Sequence, residues 1–171
     1  MPPSRPRRID RAVTGFSLHP IERNGSVPGH AEPFAEPASG VIRQTVDLYS
    51  RAAFEPPWIG YLAFLDRMVV GTCAFTSPPR NGIVEIAYFT FPGFENRGLA
   101  TAMAAELVAI ACRRDPAVVI TAHTLPARNA SHRVLEKTGF HLADTLDHPE
   151  DGLVNRWRLA TPADPGRELR Q

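Results

Sequence analysis

The stretch Ile83-Val84-Glu85-Ile86-Ala87-Tyr88-Phe89-Thr90-Phe91 decides the fold, together with Glu95-Asn96-Arg97-Gly98-Leu99-Ala100 just after it. The first segment is dense in β-branched and aromatic residues, which favour strands. Pro92-Gly93 then interrupts it, and residues 98–114 show a helical pattern. The apolar positions of that helix are Leu99, Met103, Leu107 and Ile110. The sequence thus predicts a strand, a short loop and a helix in direct succession.

A second strand pattern follows this helix at residues 117–124, where Val118, Val119 and Ile120 stand together. A strand, a helix and a strand in one sheet imply a crossover and therefore a parallel pair. Strand patterns at residues 58–65 and 68–76 precede the stretch and are joined by short polar turns, which predicts an antiparallel meander.

The remaining elements complete a mixed architecture. We predict a first strand at residues 14–22, a helix at 41–54, a helix at 129–138 ending at Gly139, and strands at 140–146 and 153–159. The fold class is α+β, with a mixed, mostly antiparallel sheet of about six to seven strands flanked by helices. Residues 13–160 form a single domain, and residues 1–12 and 161–171 are predicted to be disordered tails.

Bulk composition excludes several classes of protein. The formal net charge of +1 gives no electrostatic footprint for nucleic acid, and no apolar stretch approaches the ~20 residues of a membrane span. The basic N-terminus lacks the apolar region of a secretory signal. The two isolated cysteines, Cys73 and Cys112, form neither a disulfide framework nor a metal site. We therefore expect a cytoplasmic protein without a bound metal.

The loop at residues 95–100 leads into the helix and is a candidate anion site. Small residues at Gly98 and Ala100 let the backbone approach a ligand closely. The first amides of a helix lack partners within it and carry partial positive charge, which suits a pyrophosphate. Arg97 adds a full charge and Thr101 adds a hydroxyl donor. The alternative is that Gly98 only permits a tight turn.

Two motifs together resemble the Gcn5-related N-acetyltransferase (GNAT) superfamily. Gly98 and Ala100 match the family's loop pattern, although Glu95 replaces its usual Gln or Arg. The segment Asn129-Ala130-Ser131-His132-Arg133-Val134-Leu135-Glu136-Lys137-Thr138-Gly139-Phe140 resembles the family's later motif, in the form often seen in the branch that acetylates ribosomal-protein N-termini. The resemblance implies a V-shaped split between the two central parallel strands, where acyl-CoA inserts, and acetyl-CoA as co-substrate.

The resemblance also implies roles for individual residues. Glu85 corresponds to a carboxylate that accepts the amine proton; from the sequence alone it is equally an ordinary half-exposed strand residue or the partner of an arginine. Leu135 stands where many relatives have an acidic tyrosine, and Ser131 is the substitute, either at the thiolate or as a helix-end hydrogen-bonding residue. Asn129 either contacts pantetheine or caps its helix.

The remaining cofactor contacts follow the strand and the loop. Pantetheine is expected to meet the backbone of Phe89, Thr90 and Phe91, and the phosphates to meet Arg97 and the amides of Gly98, Leu99, Ala100 and Thr101. His123 and His132 are interpreted as structural or solvent-facing histidines.

The predicted function is transfer of an acetyl group from acetyl-CoA to an amine by direct attack in a ternary complex. The acceptor is a small molecule or a peptide N-terminus, and a homodimer is possible by analogy. The alternatives are a non-catalytic acyl-CoA sensor and an interaction module on the same fold.

Overall fold

A computed structural model describes residues 12–31 and 33–159. Within these ranges the chain forms seven strands and three helices. The strands are β1 (Phe16–Pro20), β2 (Gly60–Leu65), β3 (Met68–Phe75), β4 (Ile83–Thr90), β5 (Val119–Thr124), β6 (Phe140–His148) and β7 (Gly152–Leu159). The helices are α1 (Ala38–Arg51), α2 (Leu99–Arg114) and α3 (Ala130–Lys137). The predicted disordered tails lie outside the described residues, except for Ala12.

The strands form one sheet in the order β1-β2-β3-β4-β5-β7-β6. Only β4 and β5 pair in parallel; the other neighbouring pairs are antiparallel. This arrangement confirms the predicted mixed sheet and its single crossover through α2. The final hairpin folds back so that β7, rather than β6, pairs with β5.

The parallel pair opens partway along its length. Pairing runs from Ile83 opposite Val119 to Ile86 opposite Ala122 and then stops. Beyond that point β4 continues along β3 as far as Thr90, while the last residues of β5 stay paired with β7. The space between residues 87–90 of β4 and residues 123–124 of β5 is hereafter the β4–β5 gap. It is the V-shaped split that the sequence predicted.

Alternation along β4 separates the two faces of the sheet. Val84 and Ile86 are each 1% exposed and lie on the side that α2 covers. Met103 and Leu107 of α2 are fully buried against this side, hereafter the α2 face. Because successive strand side chains point in opposite directions, Glu85 lies on the other side, hereafter the Glu85 face.

A buried polar network fixes α3 beside the gap. The indole Nε1 of Trp157 donates to Oγ1 of Thr124 at 2.9 Å, and Nε2 of His132 lies 3.0 Å from both that hydroxyl and the carbonyl oxygen of Leu125. A carbonyl can only accept a hydrogen bond, so Nε2 of His132 carries the proton. The network joins β5, β7 and α3, and it confirms the structural role predicted for His132.

None of the three helices in the described ranges has the length and the apolar character that a membrane crossing requires.

Replacing Thr124 with Val should destabilise the fold by about 1–3 kcal/mol, because Val keeps the shape but leaves the buried indole N–H of Trp157 without its acceptor, while Nε2 of His132 keeps the carbonyl of Leu125. The free energy of unfolding from urea titration measures this loss. Thr124→Ser is the matched control, because it keeps the hydroxyl. Wild-type stability in Thr124→Val would show that the network does not hold α3.

Candidate active site

The loop between β4 and α2 turns through left-handed backbone conformations. Gly93, Asn96 and Gly98 have φ angles of 89°, 61° and 76°. At Gly98 an added Cβ would meet only one atom within 4 Å, at 3.9 Å, so glycine is favoured there by its φ angle rather than by crowding. Gly98 is the N-cap of α2 and offers no side-chain cap, so the amides of residues 99–101 keep their donors free of intrahelical partners.

Charges in this loop are arranged to leave the helix end electropositive. The Oε2 atom of Glu95 accepts a hydrogen bond from the backbone N–H of Gly93 at 2.7 Å, so the carboxylate is turned back into the loop. The guanidinium of Arg97 lies over the ring of Phe94, 5.6 Å from its centroid. No acidic residue occupies the first turn of α2. The unusual Glu95 therefore does not compete with an anion at the helix end.

The direction of backbone groups along β4 alternates between its two neighbours. The carbonyl of Glu85 accepts from the N–H of Thr76, and the N–H of Phe91 donates to the carbonyl of Val70, so odd-numbered residues of β4 bond toward β3 and its extension. The main-chain groups of Tyr88 and Thr90 consequently face the β4–β5 gap. Phe89, Thr90 and Phe91 were predicted to contact pantetheine through the backbone. Of these three, Thr90 has main-chain groups that face the gap, whereas those of Phe89 and Phe91 point toward β3 and its extension.

Phe89 and Phe91 differ in what they present. The side chain of Phe89 is 57% exposed on the Glu85 face, whereas Phe91 is 1% exposed in the core. Their rings lie 6.2 Å apart.

The start of α3 lies across the gap from β4. Asn129 caps this helix, with its Oδ1 accepting from the N–H of Ser131 at 2.9 Å. The phenol of Tyr88 donates to the carbonyl of Ser131 over a long 3.4 Å. Burial raises the pKa of Tyr88 to about 12. These contacts confirm the predicted cap and leave the amide nitrogen of Asn129 as a donor.

Leu135 of α3 is fully buried in the core and carries no acidic proton. Tyr88 is the phenol that the structure places beside α3 instead. Tyr88 was not among the residues predicted from the sequence. It lies three residues after Glu85 in the same strand, so strand alternation places its side chain on the face opposite Glu85, and this spacing could have identified it.

Glu85 contacts a histidine. Its Oε1 atom lies 3.0 Å from Nδ1 of His123, and the side chains of Glu85 and His123 keep 30% and 20% of their surface exposed. The pairing follows from the parallel register, in which Glu85 is opposite Thr121 and His123 is the next residue of β5 on the same face. Glu85 is thus a partly exposed strand residue whose partner is histidine rather than the arginine that the sequence offered as one alternative, and its role as a base stays a prediction.

The cysteines lie apart from any nucleophile position. Cys73 is 2% exposed within β3, where burial raises the pKa of its thiol, and Cys112 is exposed on α2. Among residues 12–31 and 33–159, no three His, Cys, Asp or Glu side chains gather as a metal site requires.

A separate open cavity lies beside α1. Its volume is about 490 Å³, and its lining includes Asn24, Gly25, Ile42 and Val46. None of the predicted catalytic or cofactor residues lines it.

Solved acetyltransferases share this fold. RimL, a ribosomal L7/L12 alpha-N-protein acetyltransferase in complex with coenzyme A, has a TM-score of 0.58 and 20% identity over 75% of this chain and 74% of its own. The microcin C7 self-immunity acetyltransferase MccE, in complex with acetyl-CoA and AMP, has a TM-score of 0.58 and 14% identity over 72% and 70%. A spermidine N-acetyltransferase SpeG chimera from Vibrio cholerae and hSSAT has a TM-score of 0.62 and 12% identity over 85% and 95%.

Sequence comparison gives the family. No curated protein matches the chain in sequence. The family model of the acetyltransferase (GNAT) domain matches residues 30–141, which is more than half of the 171 residues. This span contains both motifs that predicted an acyl-CoA-dependent acetyltransferase with acetyl-CoA as co-substrate, and the match confirms that prediction. The chain belongs to the GNAT acetyltransferase family.

Proposed function

We propose that this protein transfers an acetyl group from acetyl-CoA to an amine by direct attack in a ternary complex. The observation that carries the proposal is the β4–β5 gap, which has Tyr88 and Ser131 on the α2 face and Glu85 on the other. If a thioester binds in this gap, the residues beside its leaving sulfur differ from the residues beside the incoming amine.

The cofactor would lie along the loop and the gap. The pyrophosphate is assigned to the free end of α2 and to the charge of Arg97, because the helix dipole and unpartnered amides favour an anion. The contacting residues are Arg97, Gly98, Leu99, Ala100 and Thr101. The pantetheine arm would then pass Phe89, Thr90 and Phe91 on one side and Asn129 on the other, with hydrogen bonds at Thr90 and Asn129.

The chemistry requires a neutral amine. Its nitrogen attacks the thioester carbonyl, the C–N bond forms, the C–S bond breaks, and one amine proton is lost. Deprotonating a lysine amine at pH 7 costs roughly 4.6 kcal/mol, whereas an α-amine costs about 1 kcal/mol. We assign Glu85 to accept this proton, because its carboxylate is partly exposed on the face opposite the thiol side.

We infer that the departing CoA thiolate is stabilised by hydrogen bonds rather than by full transfer of a proton from the protein. A phenol whose pKa is about 12 transfers its proton to a thiolate of pKa ~8.5 only at a cost of about 5 kcal/mol. Tyr88 is therefore suited to donate a hydrogen bond to the sulfur. Ser131 is assigned the same task or the relay of a water proton.

One observation favours a second candidate, a non-catalytic acyl-CoA sensor. The position of the usual tyrosine is taken by buried Leu135. Acetyl-CoA binding without turnover on a panel of small amines and peptide N-termini would support the sensor. A homodimer and a cytoplasmic location remain predictions, which sedimentation and cell fractionation test.

Arg97→Ala should weaken CoA binding by about 5- to 30-fold, equivalent to about 1–2 kcal/mol, since it removes a charge-assisted contact with the phosphates. Isothermal titration with CoA measures the effect. Arg114→Ala, at the opposite end of α2, is the matched control. If Arg97→Ala binds CoA as tightly as the wild type, the phosphates are held elsewhere.

Glu85→Gln should lower kcat by about 100-fold or more while leaving CoA affinity unchanged, because the amide cannot accept the amine proton. Steady-state rates across pH, with free thiol as the readout, measure it. Glu106→Gln on exposed α2 surface serves as the control carboxylate. An unaltered pH–rate profile in Glu85→Gln removes this residue from the mechanism.

A further inference from the structure

We propose that His123 is a positioning residue for this reaction: a neutral imidazole whose Nδ1–H holds the carboxylate of Glu85 on the Glu85 face of the gap. The inference rests on the proposed function, because Glu85 is there assigned the amine proton. The proposed site thus combines the base Glu85 from β4 with a positioning residue, His123, from β5.

The contact lies where the parallel pair ends. Thr121 is the last residue of β5 on this face with a registered partner on β4, and His123 follows it at the point where the strands separate. The Nδ1 atom of His123 is 3.0 Å from Oε1 of Glu85, which is a normal hydrogen-bond distance. Two separating strands are thus linked by side chains where their backbones no longer pair.

The other ring nitrogen fixes the protonation state. The Nε2 atom of His123 is buried and has no hydrogen-bond partner among the described residues. An imidazolium would place a second N–H donor there without an acceptor, which is unfavourable in a buried site. The neutral ring with its proton on Nδ1 avoids this and gives Glu85 a donor, so the geometry selects that tautomer.

Neither neighbouring arginine forms an ion pair with Glu85 among the described residues. Arg156 is the cross-strand neighbour of His123, and its Nε donates to Oδ1 of Asp144 at 2.9 Å. Arg158, opposite Thr121, has a buried Nε without a partner in the described ranges, and no ion pair joins it to Glu85 there.

His148 also faces His123, with ring centroids 5.8 Å apart. The backbone amides of Glu150 and Asp151 both donate to its Nδ1 at 3.3 Å. The same Nδ1 lies 3.3 Å from the carboxylate of Asp151, so the contacts of this nitrogen are with the turn at residues 150–151 and not with Glu85. Among the described residues on the Glu85 face, His123 is therefore the side chain that donates a hydrogen bond to the Glu85 carboxylate.

The consequence is a base of fixed orientation. A carboxylate held through one oxygen keeps the other for the amine proton, and a proton acceptor must lie within hydrogen-bond reach in a defined direction.

Variants at position 123 test the role. His123→Leu should lower kcat/KM about 30-fold with the KM for acetyl-CoA unchanged, because the carboxylate of Glu85 loses the donor that orients it. His123→Asn places an amide N–H near the position of Nδ1 and should restore most of the rate. His141→Asn, an exposed histidine on β6, is the control.

Two kinetic outcomes overturn the proposal. One is a wild-type rate in His123→Leu. The other is His123→Asn being as impaired as His123→Leu, which would mean that hydrogen-bond donation is not the role of the ring.

Nitrogen-15 NMR of the imidazole separates this inference from the proposed function. The expected signal for His123 is a neutral ring protonated at Nδ1, with that preference lost in Glu85→Leu, which has no acceptor at this position. A ring protonated at Nε2, or charged at pH 7, refutes the inference even if the enzyme turns over. Absence of turnover on every amine in wild-type protein refutes the proposed function instead.

Discussion

The separation of β4 from β5 is the constraint on which the rest of the structure depends. Four residue pairs hold the strands together, from Ile83–Val119 to Ile86–Ala122, and the backbones then diverge. Strand backbone that has no partner in the sheet is bonded by water or by another molecule. The main-chain groups of Tyr88 and Thr90 are in this condition at the gap, and an extended amide-bearing chain such as pantetheine could satisfy them as a neighbouring strand would.

The same separation divides the chemistry between two faces. Tyr88 projects toward α3 and reaches the carbonyl of Ser131, while Glu85 projects away and meets His123. Because strand residues alternate, one segment of β4 presents Tyr88 and Glu85 on opposite faces, and the proposed mechanism assigns these faces to the sulfur and the amine of the reaction. The network of Trp157, Thr124 and His132 keeps α3 at the distance that this division requires.

Much of this arrangement could be predicted from the sequence because it depends on local patterns. Local sequence patterns located all ten elements of the described residues. Gly98 marked the start of α2, where its φ angle of 76° is a left-handed conformation that favours glycine. The position of β7 beside β5 could not be predicted, since hairpin order depends on tertiary packing. The pairing of Glu85 with His123 joins residues 38 positions apart and depends on a register that no local pattern encodes.

The most direct test of the account is amide hydrogen exchange along β4, measured with and without saturating CoA. Tyr88 and Thr90 should exchange more slowly when CoA is bound, because their N–H groups face the gap that pantetheine would occupy. Phe91, whose N–H already donates to the carbonyl of Val70, should change little by comparison. Unchanged exchange at Tyr88 and Thr90 under saturating CoA would contradict the claim that the cofactor lies between β4 and β5.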